Sequence, residues 1–94
     1  MDSVTFQYAP QSLAQLEAAA LAAFEAGAPR VVLDLDSLKS LDSQATRGLI
    51  LLLRRSREVG GEIVLRVGKP EIRRSLQVMA LDRLFPLIST GVAA

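Results

Sequence analysis

The distribution of hydrophobic residues predicts four short β-strands. In residues 4–8, hydrophobic and polar side chains alternate, as in a strand with one buried face. Residues 31–35 and 63–67 form two nearly continuous hydrophobic runs, which is the pattern of parallel strands covered on both faces. Residues 84–88 predict a short last strand at an edge of the sheet, because Pro86 interrupts it and cannot donate a backbone hydrogen bond.

Helical spacing of hydrophobic residues predicts one helix between each pair of successive strands. The first helix follows Ser12, a residue type that often caps helices, and ends at Gly27. The second is predicted from about Ser43 to Val59, and the third begins near Pro70, a favourable residue in a first helical turn. The predicted buried face of the third helix consists of Ile72, Leu76 and Met79. The fold class is therefore α/β, with a mixed sheet of about four strands and three helices in a single domain, residues 1–94.

Length and composition narrow the chemistry that the chain can perform. Its 94 residues suffice for one small hydrophobic core, and 50% of them are hydrophobic. The sequence has no Cys and no His, which excludes a thiol nucleophile, an imidazole base, a disulfide and a zinc finger. Any catalysis would have to rest on carboxylates, hydroxyls and cations.

The charged residues are unevenly distributed, although the net charge is only +1. Residues 1–29 contain three acidic and no basic side chains, whereas residues 30–94 contain eleven basic and seven acidic ones. This excess is smaller than that of typical nucleic-acid-binding domains, so no nucleic-acid partner is predicted. The longest hydrophobic run, residues 49–53, is far too short to cross a membrane. These features favour a soluble, cytoplasmic protein that does not insert into membranes.

The start of the second helix, residues 41–44 (Leu-Asp-Ser-Gln), follows the first hydrophobic run. Open α/β sheets place ligands and chemistry at this end of their strands. One interpretation is structural, since Asp and Ser are common helix caps. The other is that Ser43 is phosphorylated, because a phosphate there would lie beside backbone N–H groups, with Thr46 and Arg47 one turn further on. The two interpretations are compatible.

Two hydrophobic residues of the second helix lie outside its predicted buried stripe. The stripe consists of Ala45, Leu49, Leu52 and Leu53. Ile50 and Leu51 lie on opposite sides of it, so at least one should be exposed and form a docking surface beside Ser43, unless neighbouring helices cover both. Residues 54–57 carry three arginines, which we interpret as a solvated face because no aromatic residue is interleaved among them.

Asp34 and Asp36 raise one enzyme hypothesis. Two alternate carboxylates at the end of a strand resemble the nucleophile motif of haloacid-dehalogenase-type phosphatases. Leu38 stands where that motif has Thr or Val, and no later acidic pair could hold the magnesium ion. We therefore interpret Asp34 as a strand residue near a pocket or helix end, and Asp36 as a turn residue.

Four short motifs follow one another between residues 31 and 85. They are Asp34-Leu35 at the end of a strand, Asp42-Ser43 at the start of the next helix, Gly60-Gly61 before the next strand, and Leu-Asp-Arg-Leu-Phe at residues 81–85. In this order they resemble the STAS family, which comprises bacterial anti-sigma factor antagonists, stressosome scaffolds and components of sulfate and lipid transport systems. The resemblance implies a STAS-like fold that is shortened at its N-terminus, with room for only one strand before the first helix.

The resemblance also implies which residues form the site. The STAS phosphoacceptor hydroxyl directly follows the acidic residue at the helix start, so Ser43 corresponds to it and Asp42 to its acidic neighbour. Gln44 and Ala45 stand where the family usually has Ser and Gly. The Asp-Ser-x-x-Thr-Arg pattern of residues 42–47 is similar to the stressosome branch instead.

The function implied by the resemblance is partner switching, with no catalytic activity, cofactor or metal of the domain's own. The unphosphorylated protein would bind an anti-sigma factor that is also a serine kinase of the GHKL type. The hydrophobic pattern of the second helix predicts that Ile50 or Leu51 lies in this contact. Phosphorylation of Ser43 by this partner would end the interaction, and a phosphatase would restore it. The alternative is a scaffold or transporter-associated STAS subunit in which Ser43 only caps the helix.

The N-terminal strand predicts self-association. A STAS sheet normally has a further strand beside the segment matched by Val4 to Tyr8, and we expect this chain to lack it. Residues 3–9 carry no charge and Pro10 comes only at the end, so the edge is poorly protected against pairing. We expect a homodimer, or a hetero-complex, in which residues 3–8 pair with a strand of a neighbour.

Overall fold

Four strands and three helices form the described part of the protein. The computed structural model describes residues 3–89. Its elements are β1 (Val4–Gln7), α1 (Leu13–Glu25), β2 (Arg30–Asp34), α2 (Ser43–Glu58), β3 (Glu62–Val67), α3 (Pro70–Val78) and β4 (Leu87–Ser89). Short 3₁₀ turns at Pro10–Ser12 and Leu81–Arg83 precede α1 and β4. The strands lie side by side in the order β1-β2-β3-β4, so β1 and β4 are the edges of this sheet.

All strand pairings among residues 3–89 are parallel, so the prediction of a mixed sheet is wrong. Neighbouring strands are connected by segments that contain a helix, and the helix returns the chain to the same end of the sheet before the next strand begins. The register places Leu33 of β2 between Phe6 of β1 and Leu65 of β3. The loops that follow β1, β2 and β3 therefore meet at one end of the sheet.

The hydrophobic core lies between one face of the sheet and the helices. The strands contribute Val31, Leu33, Ile63, Leu65 and Val67, and the helices contribute Leu16, Ala20, Leu49, Leu52, Ile72 and Leu76. Because residues of all three helices belong to this one cluster, the helices lie on the same side of the sheet. The buried stripe predicted for α2 is confirmed, since all four of its residues are buried.

The residues of β2 and β3 are buried on the opposite face of the sheet as well, as their hydrophobic runs predict, although no helix of residues 3–89 packs there. Val32 and Val64 are register partners on this face, and only 6% and 4% of their surface is exposed. In the next row of the same face, Arg30 and Glu62 form an ion pair of 3.4 Å across the two strands. The aliphatic parts of long polar side chains can cover hydrophobic neighbours in this way.

Local signals set the boundaries of the first two helices. α1 is followed by Gly27, whose φ of +101° favours glycine. α2 begins at Ser43 and ends at Glu58, within one residue of the predicted bounds. Ser12 precedes α1 as predicted, but its side chain makes no capping hydrogen bond.

Two predictions for the C-terminal part are wrong. Met79 was expected on the buried face of α3, but the helix ends one residue earlier and Met79 is 39% exposed. The last strand begins only at Leu87, because residues 81–83 form a 3₁₀ turn and the chain becomes extended after Pro86. No helix within residues 3–89 is long and apolar enough to cross a membrane.

Candidate functional site

Asp42 is the N-cap of α2 and holds the first turn of the helix. Its backbone is extended, with φ −84° and ψ −178°, and its Oδ1 accepts a 2.8 Å hydrogen bond from the Ala45 N–H. Its carbonyl oxygen accepts two further hydrogen bonds of 2.9 Å, from the backbone N–H and from the hydroxyl of Thr46. The capping role that the sequence left open between Asp42 and Ser43 therefore belongs to Asp42.

Ser43 is the first residue of α2, and its side chain is exposed. Within residues 3–89 its hydroxyl makes no hydrogen bond, so the described fold does not depend on it. The first N–H groups of a helix lack intrahelical acceptors and carry partial positive charge. A phosphate on this hydroxyl would therefore be stabilised electrostatically by the start of α2.

Tyr8 lies beneath the start of α2, a role that the strand pattern did not indicate. It is fully buried, and its hydroxyl donates a 2.6 Å hydrogen bond to the carbonyl oxygen of Ala45. Gly48 allows this approach, because a Cβ at that position would overlap the Tyr8 hydroxyl. Burial, and secondarily the Asp42 carboxylate, raises the pKa of Tyr8 to about 12. A glycine inside the buried stripe of a helix was the one signal in the sequence that pointed to such a contact.

A surface depression of about 500 Å³ opens between the end of β1 and the start of α2. Its walls are residues 8–11, residues 37–40, and Asp42, Gln44 and Ala45. Gln44, which the sequence predicts in the surroundings of the phosphosite, is exposed and lines this depression. Ser43 does not belong to the wall, so the hydroxyl is presented on the surface beside the depression rather than inside it.

The C-terminal end of α3 lies against the first turn of α2. Thr46 Oγ1 is 3.5 Å from the Sδ of Met79, and Arg47 beside it is exposed. Val78 is 79% exposed, and with Met79 it forms an apolar shoulder, the name we use for these two residues. Hydrophobic surface therefore flanks the Ser43 site on the α3 side, which the sequence pattern did not predict.

Ile50 and Leu51 are both half-buried, so the expectation that at least one is exposed is wrong. Ile50 packs against the hydrophobic core, and Leu51 lines a shallow surface depression together with Arg54 and Arg55. α2 is flanked by α3 on one side and by α1 on the other, where Arg55 forms a 2.8 Å ion pair with Glu17. These neighbours shelter both flanks of the helix in part.

Asp34 and Asp36 connect loops at the carboxyl ends of the strands. Oδ1 of Asp34 accepts a 2.9 Å hydrogen bond from the Asp36 N–H, and Oδ1 of Asp36 accepts one of 2.7 Å from the Gly68 N–H. The loops after β2 and β3 are thereby held together, and the interpretation of Asp36 as a turn residue is confirmed. Residues 3–89 contain no group of three or more Asp or Glu side chains placed to hold a metal ion.

The fold and the site together define a class of protein: a small parallel α/β domain that presents an exposed serine, directly after a capping aspartate, at the start of its central helix. Residues 7–89 match the family model described as "Mlab, STAS domain". The chain belongs to the STAS family, as the order of its motifs indicated.

Three proteins illustrate this relationship. The "Putative anti-sigma factor antagonist BtrV" of Bordetella bronchiseptica is 36% identical over 80 residues, which cover 85% of this chain and 69% of BtrV. The protein TM1081 of Thermotoga maritima superimposes with a TM-score of 0.73 at 18% identity, covering 94% of this chain and 74% of its own. A serine-to-glutamate variant of RsbS from Moorella thermoacetica gives 0.68 at 26% identity, covering 94% and 78%. These superpositions confirm the STAS fold with a four-stranded sheet and three helices.

Proposed function

We propose that the protein is an anti-sigma factor antagonist that acts by partner switching. Unphosphorylated, it binds an anti-sigma factor that is also a serine kinase of the GHKL type. The partner transfers the γ-phosphoryl group of ATP to Oγ of Ser43 and releases ADP, the complex dissociates, and a phosphatase later removes the phosphate. The observation that carries this proposal is the exposed Ser43 hydroxyl directly after the Asp42 cap. The name of the relative BtrV supports the antagonist role.

The geometry favours Ser43 over the nearby hydroxyl groups as the phosphoacceptor. The Thr46 hydroxyl already donates to the Asp42 carbonyl, so its modification would break a hydrogen bond of the first helical turn. The exposed Ser40 lies before the helix, where the aligned N–H groups of the helix start do not stabilise a phosphate. Ser43 combines access for a kinase with a stabilising position, and Ser40 provides a matched control.

Phosphorylation would change the charge of this surface without changing the fold. A phosphate adds about −1.5 to −2 charges beside the Asp42 carboxylate. Before modification, the exposed Arg47 and Arg54 attract an acidic surface of the partner. After modification, the same contact contains like charges, and the partner would have to desolvate a dianion. Both effects weaken the complex.

The docking surface follows one side of α2. Ser43, Arg47 and Leu51 are spaced four residues apart and therefore lie along one face of the helix. Leu51 is half-buried and retains surface for a contact, while the apolar shoulder adds exposed hydrophobic area on the α3 side. Ile50 already packs against the core and contributes less. The phosphoacceptor thus lies at one end of a partly hydrophobic, positively charged stripe.

Affinity capture from the source cells tests the proposal. Tagged wild-type protein, Ser43→Ala, Ser43→Asp and the control Ser40→Asp are compared for the amount of kinase-type anti-sigma factor that each retains. We expect Ser43→Asp alone to lose the partner, while all four proteins keep similar melting temperatures. Equal retention by Ser43→Asp would refute the switch. Capture of a permease, an ATPase or a stressosome subunit instead of a kinase would favour the scaffold alternative.

A further inference from the structure

The outer edge of β1 presents backbone hydrogen-bonding groups that no strand in the described part of the chain occupies. On the inner side, the N–H of Tyr8 donates a 2.9 Å hydrogen bond to the carbonyl oxygen of Asp34. The backbone groups of successive residues point to alternate sides of a strand, so Phe6 also faces β2. Thr5 and Gln7 therefore direct their N–H and C=O groups outward.

The side chains of β1 do not oppose pairing at this edge. Thr5 and Gln7 are exposed and uncharged, and residues 3–9 contain no charged side chain. Edge strands are usually protected by charges or proline, but Pro10 lies beyond the end of β1. Phe6 is only half-buried, so part of its ring remains to be covered.

We propose that β1 pairs in antiparallel orientation with β1 of a second copy of this chain, around a two-fold axis at Phe6. Thr5 then lies opposite the partner's Gln7, and Gln7 opposite the partner's Thr5. Each of these two pairs exchanges two backbone hydrogen bonds, because its outward groups face each other directly. Phe6 meets the partner's Phe6 in the closely spaced position between them, where aromatic side chains contact each other. The two four-stranded sheets become one continuous sheet.

The structure favours this arrangement over two others. An antiparallel register centred on Thr5 would need Ser3, which lies outside β1, for its outer hydrogen bonds. Pairing of β1 with β4 of another copy would use a strand of only three residues that follows Pro86. It would also leave a free β1 at one end of every assembly, so copies would continue to add. The two-fold arrangement uses residues within β1 and closes on itself.

Sedimentation velocity of the full chain over a range of concentrations tests the proposal with two double variants. Thr5 and Gln7 are exposed, so both variants should keep the wild-type melting temperature at concentrations low enough for all three proteins to be monomeric. We expect the wild-type mass to rise from 10.1 kDa towards twice that value. Thr5→Lys with Gln7→Lys should stay monomeric, because each lysine would face a lysine. Thr5→Lys with Gln7→Glu should dimerise again, because each lysine would face a glutamate.

Each contrary result overturns a defined part of the proposal. A wild-type protein that stays monomeric at every concentration, or a double-lysine variant that dimerises equally well, would rule out pairing at this edge. If the variant with Thr5→Lys and Gln7→Glu stays monomeric, the proposed register around Phe6 is ruled out. A two-fold axis at Thr5 would explain that result, because it places the substituted position 5 of one copy opposite position 5 of the other, and the two lysines repel each other. A wild-type mass that grows beyond the dimer would indicate pairing of β1 with β4 and contradict the closed arrangement.

Discussion

Replacing Tyr8 with Phe removes one oxygen atom from beneath the start of α2. The hydroxyl is fully buried and donates a 2.6 Å hydrogen bond to the carbonyl oxygen of Ala45. That carbonyl retains its partner within the helix, so the change deletes one hydrogen bond without leaving the acceptor unpaired. We expect Tyr8→Phe to be about 1 kcal/mol less stable than the wild type at neutral pH.

At alkaline pH the sign of this difference should reverse. The pKa of Tyr8 rises from 10.0 to about 12 in the folded protein, because burial and the Asp42 carboxylate disfavour the phenolate. The folded state therefore holds the proton more tightly than the unfolded state. The contribution of the protonated Tyr8 hydroxyl to the free energy of unfolding is fully present below about pH 10 and is lost as the pH rises towards 12. A difference of two pKa units corresponds to a loss of about 2.7 kcal/mol. Tyr8→Phe has no such ionisation and should become the more stable protein before about pH 12.

Urea unfolding of both proteins, followed by circular dichroism from neutral to strongly alkaline pH, measures this difference. Lysines and arginines are common to the two proteins, so their titration cancels. Tyr8 is the only tyrosine and the chain has no tryptophan, so ultraviolet absorption reports its ionisation directly. A tyrosinate midpoint near 10, or a stability difference that stays constant with pH, would show that the hydroxyl is not held as described.

Five further substitutions test the start and the flanks of α2. Gly48→Ala should cost about 1–3 kcal/mol, measured by urea unfolding, because its methyl group overlaps the buried hydroxyl beneath the helix; wild-type stability would contradict this contact. Asp42→Ala should lower the free energy of unfolding by about 1 kcal/mol and Ser43→Ala should leave it almost unchanged, since only Asp42 caps the helix. Equal losses in the two variants would show that Asp42 is not the only cap. Leu51→Lys should weaken partner binding at a nearly unchanged melting temperature, whereas Ile50→Lys should lower the melting temperature; the opposite pattern would move the docking surface to Ile50.

The elements that short-range signals define could be predicted from the sequence. Asp42 at the start of α2 and the glycines after residue 59 delimit this helix, and its hydrophobic spacing identifies the buried stripe. The position of Ser43 as the first helical residue follows from the same signals. The exposed hydroxyl on which the proposed function depends is thus a local property of the chain.

Features that depend on distant segments could not be predicted in this way. Tyr8 and Ala45 are 37 residues apart in the chain, and only the folded sheet brings them together. Val32 lies beside an ion-paired row and not beneath a second layer of helices, and this arrangement depends on the register between β2 and β3. The exposure of Met79 follows from the position at which α3 ends against α2, which a periodic pattern alone does not specify.

The central claim, that phosphorylation of Ser43 releases the partner, is tested most directly by release driven by ATP. The wild-type protein and Ser43→Ala are immobilised, loaded with the captured partner and treated with ATP, and the released partner and the phosphorylated residue are measured by mass spectrometry. We predict that ATP releases the partner from the wild type together with phosphate on Ser43, while Ser43→Ala keeps the partner and carries no phosphate. Release from Ser43→Ala at the wild-type rate, or phosphate on Ser43 with the partner still bound, would contradict the account.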